Sequence, residues 1–283
     1  MDVTEVLARL GGIAEWGELL GPCSADQIRH AVTTGRVVRL RRNRYALVDT
    51  DAQRAAAVAA GGVCSHLSAA MMWGWKVKHE PLRPWVTMPR NRRRPSGNLE
   101  VRWGDLDEEE VRHHVTRPAR TVVDCARALP WDEALAVADS ALRSGEVSRS
   151  DLVAAAERSP RTGRTRALRV VEAADGRAAN PFESVLRAVA LDVPGLDVEP
   201  QGEVPGVGWV DLLDRRRGVV VEAESFEFHG TLTALRRDVT RYTELTRRGF
   251  VVVRFLWEEA MFDQTRVRAV LADIAPLRQA VGS

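Results

Sequence analysis

Lysine is almost missing from this sequence of 283 residues, which has only Lys76 and Lys78. Of 41 basic residues nearly all are arginine, a bias that points to a GC-rich coding sequence before it points to any chemistry. Cysteine is scarce as well. Cys23, Cys64 and Cys125 are odd in number and show no CxxC spacing, which argues against a disulfide framework or a zinc site and for buried thiols in a reducing compartment. A long hydrophobic run is lacking: the least polar stretch, 55–64, is rich in Ala and Gly and falls far short of the ~20 residues that span a bilayer. The opening Met1-Asp2-Val3-Thr4-Glu5 has no basic-then-apolar order of a signal peptide. A cytoplasmic chain without a membrane partner is therefore expected. An excess of one charge is also absent: 41 basic against 39 acidic residues leave +2, which excludes a histone-like polycation.

A hydrophobic share of 45% supports a sizeable core, and the length suits two or three domains. Charge is unevenly placed. Arg36, Arg39, Arg41, Arg42 and Arg44 crowd one short stretch, and Arg90, Arg92, Arg93 and Arg94 another. Such clusters are either solvated faces or phosphate contacts.

Residues 1–50 read as three helices and a hairpin. Val3, Val6, Leu7 and Leu10 share a helical face, 15–20 forms a second short helix, and Ser24 with Gln27 is a capping box for a third that stops at Gly35. The strand 36–41, a turn at Asn43 and a return through Tyr45-Ala46-Leu47 complete the pattern of a winged helix-turn-helix. The third helix then offers Gln27, Arg29, His30 and Thr33 to the major groove of double-stranded DNA, and Arg36, Arg39, Arg41, Arg42 and Arg44 contact phosphates. Residues 51–175 form a mixed middle domain. Helices are expected at 52–60, 68–73, 118–129, 131–143 and 148–156, strands at 84–88 and 99–103, and soft stretches at 158–166 and 174–179. His66 reads as a capping or core residue and His113-His114 as surface; Trp73, Trp75, Trp85 and Trp103 read as core rather than base-stacking platforms.

From 176 to 283 the order is clear. Asn180 caps a helix with Pro181 in its first turn. Strands follow at 197–204, 208–213 and 218–222, the last a continuous apolar run as in a strand covered on both faces. A helix at 233–247, a strand at 250–255 and a helix at 264–281 complete α-β-β-β-α-β-α. Asp211 and Glu222 fall on consecutive strands joined by the turn after Asp214. Like charges so placed repel unless a cation lies between them. The alternative is that these acids are salt-bridge partners of the abundant arginines, the simpler reading for Asp238 with Arg241 or Arg254.

The helix Glu183, the strand Asp211 and the Glu222-x-Glu224 strand in this order resemble the PD-(D/E)XK nuclease superfamily, and 219–255 is similar to Vsr-like domains within it. The resemblance implies a restriction-endonuclease-like αβββαβ core binding Mg²⁺ or Mn²⁺. Asp211 and Glu222 would be metal ligands, Glu183 an auxiliary ligand through water, and Glu224 would occupy the slot usually held by Lys or Asp. His229 would be a general base or phosphate contact, and Arg237 or Arg241 would touch phosphate or hold the acids. The missing lysine puts cleavage in question. Gly11-Gly12-Ile13-Ala14, Arg44-Tyr45-Ala46-Leu47, 65–70 (SHLSAA) and 116–124 (TRPARTVVD) resemble AbiEi-type antitoxins of toxin–antitoxin systems, with Asn43 where glycine is usual. Together these readings predict an α/β multidomain chain with two open functions. One is a metal-dependent DNA endonuclease in defence, repair or a toxin–antitoxin context. The other is an antitoxin-like regulator with a silent nuclease fold, partnered by a cognate toxin or by itself.

Overall fold

The structure, a computed structural model, describes residues 1–224 and 232–277. It is a mixed α/β chain with several sheets. Its contacts divide it into two compact units, one of residues 1–74 with 80–125, the other of 75–79 with 126 onward. No helix among the described residues is long and apolar enough to cross a membrane.

The first unit opens with α1 (Val3–Arg9), β1 (Ile13–Ala14), α2 (Trp16–Leu20), α3 (Ala25–Thr33), β2 (Val37–Arg41) and β3 (Arg44–Leu47), with sheet order β1-β3-β2. Ser24 begins α3 as expected: its Oγ accepts from Gln27 N at 3.2 Å, and Ser24 N donates to Gln27 Oε1 at 2.8 Å. Val3, Leu7, Leu19, Ile28, Val37 and Tyr45 join in one core. The β2–β3 turn uses Asn43 at φ 62°, a left-handed conformation that asparagine tolerates. Its Oδ1 also accepts from Trp16 N at 3.1 Å, tying the turn to α2.

Next come α4 (Ala52–Ala60), β4 (Val63–Cys64), α5 (His66–Met72), β5 (Trp85–Met88), β6 (Glu100–Trp103), a single turn at Glu108–Glu110, β7 (Val111–Arg112), β8 (Val115–Thr116) and α6 (Pro118–Ala128). These five strands form a second sheet, β6-β5-β4-β8-β7. Strands β1, β4, β7 and β8 are two residues each, too short for periodicity to reveal. His66 is buried, with φ 52° and Nδ1 2.9 Å from Ser65 Oγ. The tryptophans divide: Trp75 is buried, Trp73 and Trp85 half-buried, and Trp103 is exposed rather than core. All three cysteines are buried thiols.

The second unit contains α7 (Trp131–Ser144), α8 (Arg149–Arg158), α9 (Arg164–Ala173), α10 (Pro181–Leu191), β9 (Glu199–Val204), β10 (Gly208–Asp214), β11 (Val219–Glu224), α11 (Leu232–Arg247), β12 (Val251–Leu256), α12 (Trp257–Phe262) and α13 (Gln264–Leu277). Helix α9 starts inside the stretch read as soft, because Gly163 at φ 80° supplies the turn into it. Although α7–α9 read from sequence as part of the middle segment, they group with the last sheet. The reason is packing: Arg187 of α10 is paired with Asp139 of α7, and Trp131 Nε1 donates to Ala188 O at 3.0 Å.

The four-stranded sheet has the order β12-β11-β10-β9, with β9, β10 and β11 antiparallel and β12 parallel to β11. Val219 and Val221 face a core made with α10, α12 and α13; Val220 faces the other side, with Leu245 and Tyr242 of α11. Three layers result, and β11 is apolar on both faces because both are covered. That covering puts the next residues of β11, Glu222 and Glu224, in a buried setting.

Candidate functional site

Glu183 sits in the first turn of α10, held by a reciprocal cap. Asn180 Oδ1 accepts from Glu183 N at 3.0 Å, and Asn180 Nδ2 donates to Glu183 Oε1 at 2.9 Å. Ala179 N and Gln201 Nε2 donate to Oε2 at 2.8 and 2.9 Å. Burial pushes this carboxyl up and the charge of Asp211 adds to it, while the donors pull it back. Gln201 reaches Glu183 from within β9 at φ 50°. A non-glycine residue held in that region costs energy and persists only where its surroundings impose it. Sequence reasoning missed Gln201, although Pro200 and Gly202 on either side mark a distorted strand. Gly202 is itself required, since a Cβ there would meet Leu213 Cβ at 2.4 Å.

Asp211 and Glu222 come together from β10 and β11. Asp211 Oδ2 accepts from Ala223 N at 2.8 Å, which locks the carboxyl against the next strand. The two carboxyl groups hydrogen-bond each other. Burial, then the charge of Asp211, pushes Glu222 up to about 8, so at neutral pH Glu222 carries the proton and Asp211 accepts it. Arg241 of α11 approaches from the other side. Its Nη2 donates to Glu222 Oε1 at 2.8 Å and to Trp209 O at 2.6 Å. Arg241 thus holds Glu222 of β11.

Glu224 occupies the position where lysine is usual. Arg254 lies opposite Glu222 in the parallel β11–β12 register, and its Nε donates to Glu224 Oε1 at 2.7 Å. Tyr242 Oη donates to the same oxygen at 2.7 Å, and the Arg254 guanidinium stacks 4.3 Å from the Tyr242 ring. Burial and the bond to Glu224 raise the Tyr242 phenol above its usual range. Glu224 is therefore part of a cation-balanced network. Tyr242 carried no sequence signal beyond its place one helical residue after Arg241. Arg237 is exposed and has no ion pair among the described residues. His229 lies outside the described residues.

The donors suit a divalent cation in part. Asp211 and Glu222 are hard oxygen ligands, and two carboxylates completed by water and phosphate are a common Mg²⁺ set. Burial and the charge of Asp211 favour a proton on Glu222, which competes with a cation for this place. No group of three or more His, Cys, Asp or Glu side chains is placed to hold a metal among the described residues. The geometry is a carboxyl pair, with Glu183 coupled to it through the charge of Asp211.

In the first unit, Arg29, His30, Thr33, Arg36, Arg39, Arg41 and Arg42 are exposed. Arg29 pairs with Asp26 at 2.6 Å and Arg36 with Asp2 at 3.3 Å, both at the surface. Arg44 is half-buried and bridged to Glu15. Gln27 spends its carbonyl on the α3 cap. Arg39, Arg41 and Arg42 have no ion pair among the described residues.

No protein-family model matches the chain. It is 33% identical over 162 residues to two curated proteins of Mycobacterium tuberculosis, the uncharacterized protein MT2308 of strain CDC 1551 / Oshkosh and the uncharacterized protein Rv2248 of strain ATCC 25618 / H37Rv. The matched stretch is 56% of this chain and 60% of each relative, so the chain spans about three fifths of the length of the relatives it matches. Among solved structures it is similar to the crystal structure of RV2827C protein from Mycobacterium tuberculosis, at 17% identity and a TM-score of 0.33 over 71% of this chain and 83% of that one.

Proposed function

We propose that the chain binds double-stranded DNA through its first unit and hydrolyses DNA phosphodiesters at the Asp211–Glu222 pair with Mg²⁺ or Mn²⁺. The observation that carries the reading is that the carboxyls of Asp211, half-buried, and Glu222, buried, come together from adjacent strands, a packing that pushes Glu222 up to about 8. Such a pair is costly unless a cation relieves it. The helix, three antiparallel strands, helix and parallel strand around it support a nuclease-like core. The α1–α3 helices with the β1-β3-β2 sheet and its exposed arginines support a winged-helix reading.

A bound divalent ion would supply Lewis acidity and an activated water. The chain's own residues do the positioning. Ala223 N fixes the Asp211 carboxyl, and Gln201 and Asn180 fix Glu183. Arg241 stands beside Glu222 as a cation able to turn towards a phosphate oxygen. Arg254, on Glu224, supplies positive charge near the slot where lysine is absent.

A second reading has its own support. Arg241 and Arg254 already offset Glu222 and Glu224, as in a nuclease fold that binds DNA without cutting it, an antitoxin-like regulator among the cases. Calorimetry with Mn²⁺ separates the two. In the first reading the ion must displace the Glu222 proton. Apparent affinity then climbs by about tenfold per pH unit from pH 6 and levels off near pH 8. The metal-free protein shows the opposite trend. The folded-state pKa of about 8 lies above the ordinary 4.5, so the folded chain holds the proton more tightly than the unfolded one. Stability from this group is present below about 4.5 and is lost as pH rises through about 8. Absence of Mn²⁺ binding at pH 8 would favour the silent fold.

The DNA half of the proposal is checked by filter binding against salt. Arg39→Ala and Arg42→Ala, both exposed, are each expected to weaken binding to any duplex sequence and to reduce the salt slope by about one unit. An unchanged slope would remove these arginines from the interface.

A further inference from the structure

The second unit contains a cleft of about 510 Å³ that plays no part in the carboxyl pair. It opens between the end of α9, the segment leading to α10, the start of β9 and the β10–β11 turn, and its lining includes Arg149, Arg177, Arg187, Arg215 and Arg216. Arg187 is unusual among them. Its side chain is 3% exposed; Nη1 donates to Ala173 O at 2.7 Å and Nη2 to both oxygens of Asp139 at 2.6 and 2.7 Å. Its Nε has no hydrogen-bond partner among the described residues. A buried guanidinium N–H without an acceptor is uncommon and costs free energy.

The other cations leave donors unused. Arg177 and Arg215 are half exposed and meet at Glu199. Arg216 is exposed, has no carboxylate partner among the described residues, and makes one long contact, to Gly195 O at 3.4 Å. Three of the acids on the lining are engaged already. Asp175 and Glu199 accept from these arginines, and Asp214 accepts from Asp197 N and Arg217 N at 2.9 and 2.8 Å. Glu172 and Asp197 also line the cleft, at exposed positions, so an entering anion is drawn to the arginine side, where N–H groups remain open. Guanidinium forks match phosphate oxygens better than they match single acceptors. Leu191, Val198 and Leu213 give the cleft an apolar side, and its volume is within the range of small-ligand sites.

We propose that this cleft binds a nucleoside phosphate monoester, with the phosphate on Arg216 and Arg187 and the nucleoside against the apolar side. The phosphate comes either from a free nucleotide or from the 5′ end of a nucleic-acid strand. The site is independent of the carboxyl pair and of any cleavage there.

Calorimetry on the full chain without divalent metal tests this, with dAMP, deoxyadenosine, and a short single strand carrying either a 5′-phosphate or a 5′-hydroxyl. The phosphorylated member of at least one pair is expected to bind at least tenfold more tightly than its partner, and the tighter pair names the source. Arg216→Ala, at an exposed position, is expected to remove most of that preference, whereas Asp211→Asn leaves it intact. Arg187→Lys deletes the unpartnered Nε–H while keeping a cation for Asp139. Its melting temperature is taken first, and Arg216→Ala carries the test if that variant does not fold. Equal binding of phosphorylated and unphosphorylated probes, or a preference unchanged in Arg216→Ala, would overturn the proposal. Loss of metal-dependent cleavage in Asp211→Asn with the phosphate preference retained keeps the two sites apart.

Discussion

Asp211→Asn is expected to lower Mn²⁺-supported nicking of supercoiled plasmid by roughly a thousandfold, the scale of losing several kcal/mol of charge stabilisation, while leaving the fold intact. The conservative change is chosen from the geometry. An asparagine Oδ1 still accepts from Ala223 N, as Asp211 Oδ2 does at 2.8 Å, and its Nδ2 can donate to Glu222. The variant thus keeps the strand contact and relieves the like-charge repulsion that, after burial, lifts Glu222 to about 8. Two readouts follow. Nicking falls, and the loss of metal-free stability between about pH 4.5 and pH 8 becomes shallower, because Glu222 now ionises more easily. A structural role alone would move stability without abolishing nicking. Equal nicking by both proteins would sink the enzymatic reading, and duplex binding with no nicking by either at any Mn²⁺ concentration would establish the silent fold.

Much of this site was legible because its signals are local. Asn180-Pro181 with Glu183 two residues later fixes a helix start and places a carboxylate at its positive end. The apolar run Val219-Val220-Val221 fixes a strand covered on both faces, and so the buried place of Glu222. What sequence could not reach depends on contacts between distant segments. Gln201 reads as an ordinary strand residue until β9 is laid beside α10. Arg254 reads as the polar end of a strand until the parallel register sets it opposite Glu222. The stretch 158–166 reads as a linker because Gly, Ser and Pro are punctuation in most settings, yet Gly163 begins α9. The two-residue strands of the first unit had no period to detect. Trp103 was read as core from its type alone, and type does not decide burial for a residue at a sheet edge.

The arginine bias also takes on a more specific meaning in the folded chain. Arg44, Arg120, Arg187, Arg241 and Arg254 each meet a carboxylate. Arg39, Arg41, Arg42, Arg92, Arg93 and Arg94 are exposed without an ion pair among the described residues. A short basic cluster in sequence therefore contains both kinds, and only the unpaired kind is free to release counterions from DNA. Arg36, Arg39 and Arg44 show the division within one hairpin.

Asp139→Ala is expected to cost about 3–5 kcal/mol of stability, the range for stripping one partner from a buried ion pair. Asp139 and Arg187 are 1% and 3% exposed, and both oxygens of Asp139 accept from Arg187 Nη2. Removing the carboxylate leaves a buried guanidinium without its counter-ion, and it also strips the acceptor from Asp175 N, now at 2.7 Å. Two companions separate these terms. Asp139→Asn keeps an acceptor for Asp175 N and should cost less than alanine, the difference reporting the backbone bond. Asp139→Leu with Arg187→Met removes both charges and should recover most of the loss, since an apolar pair of similar volume is often neutral or better. Chemical denaturation followed by tryptophan fluorescence measures all three, with Trp131 of α7 bonded directly to α10 as a reporter. A cost below about 1 kcal/mol for Asp139→Ala would mean that water reaches the pair, because screened surface pairs contribute no more than that. The double variant has one further consequence. It is expected to fold and yet to lose the phosphate preference of the cleft, because the guanidinium that stabilises little in the apo protein is the one whose Nε–H awaits an acceptor.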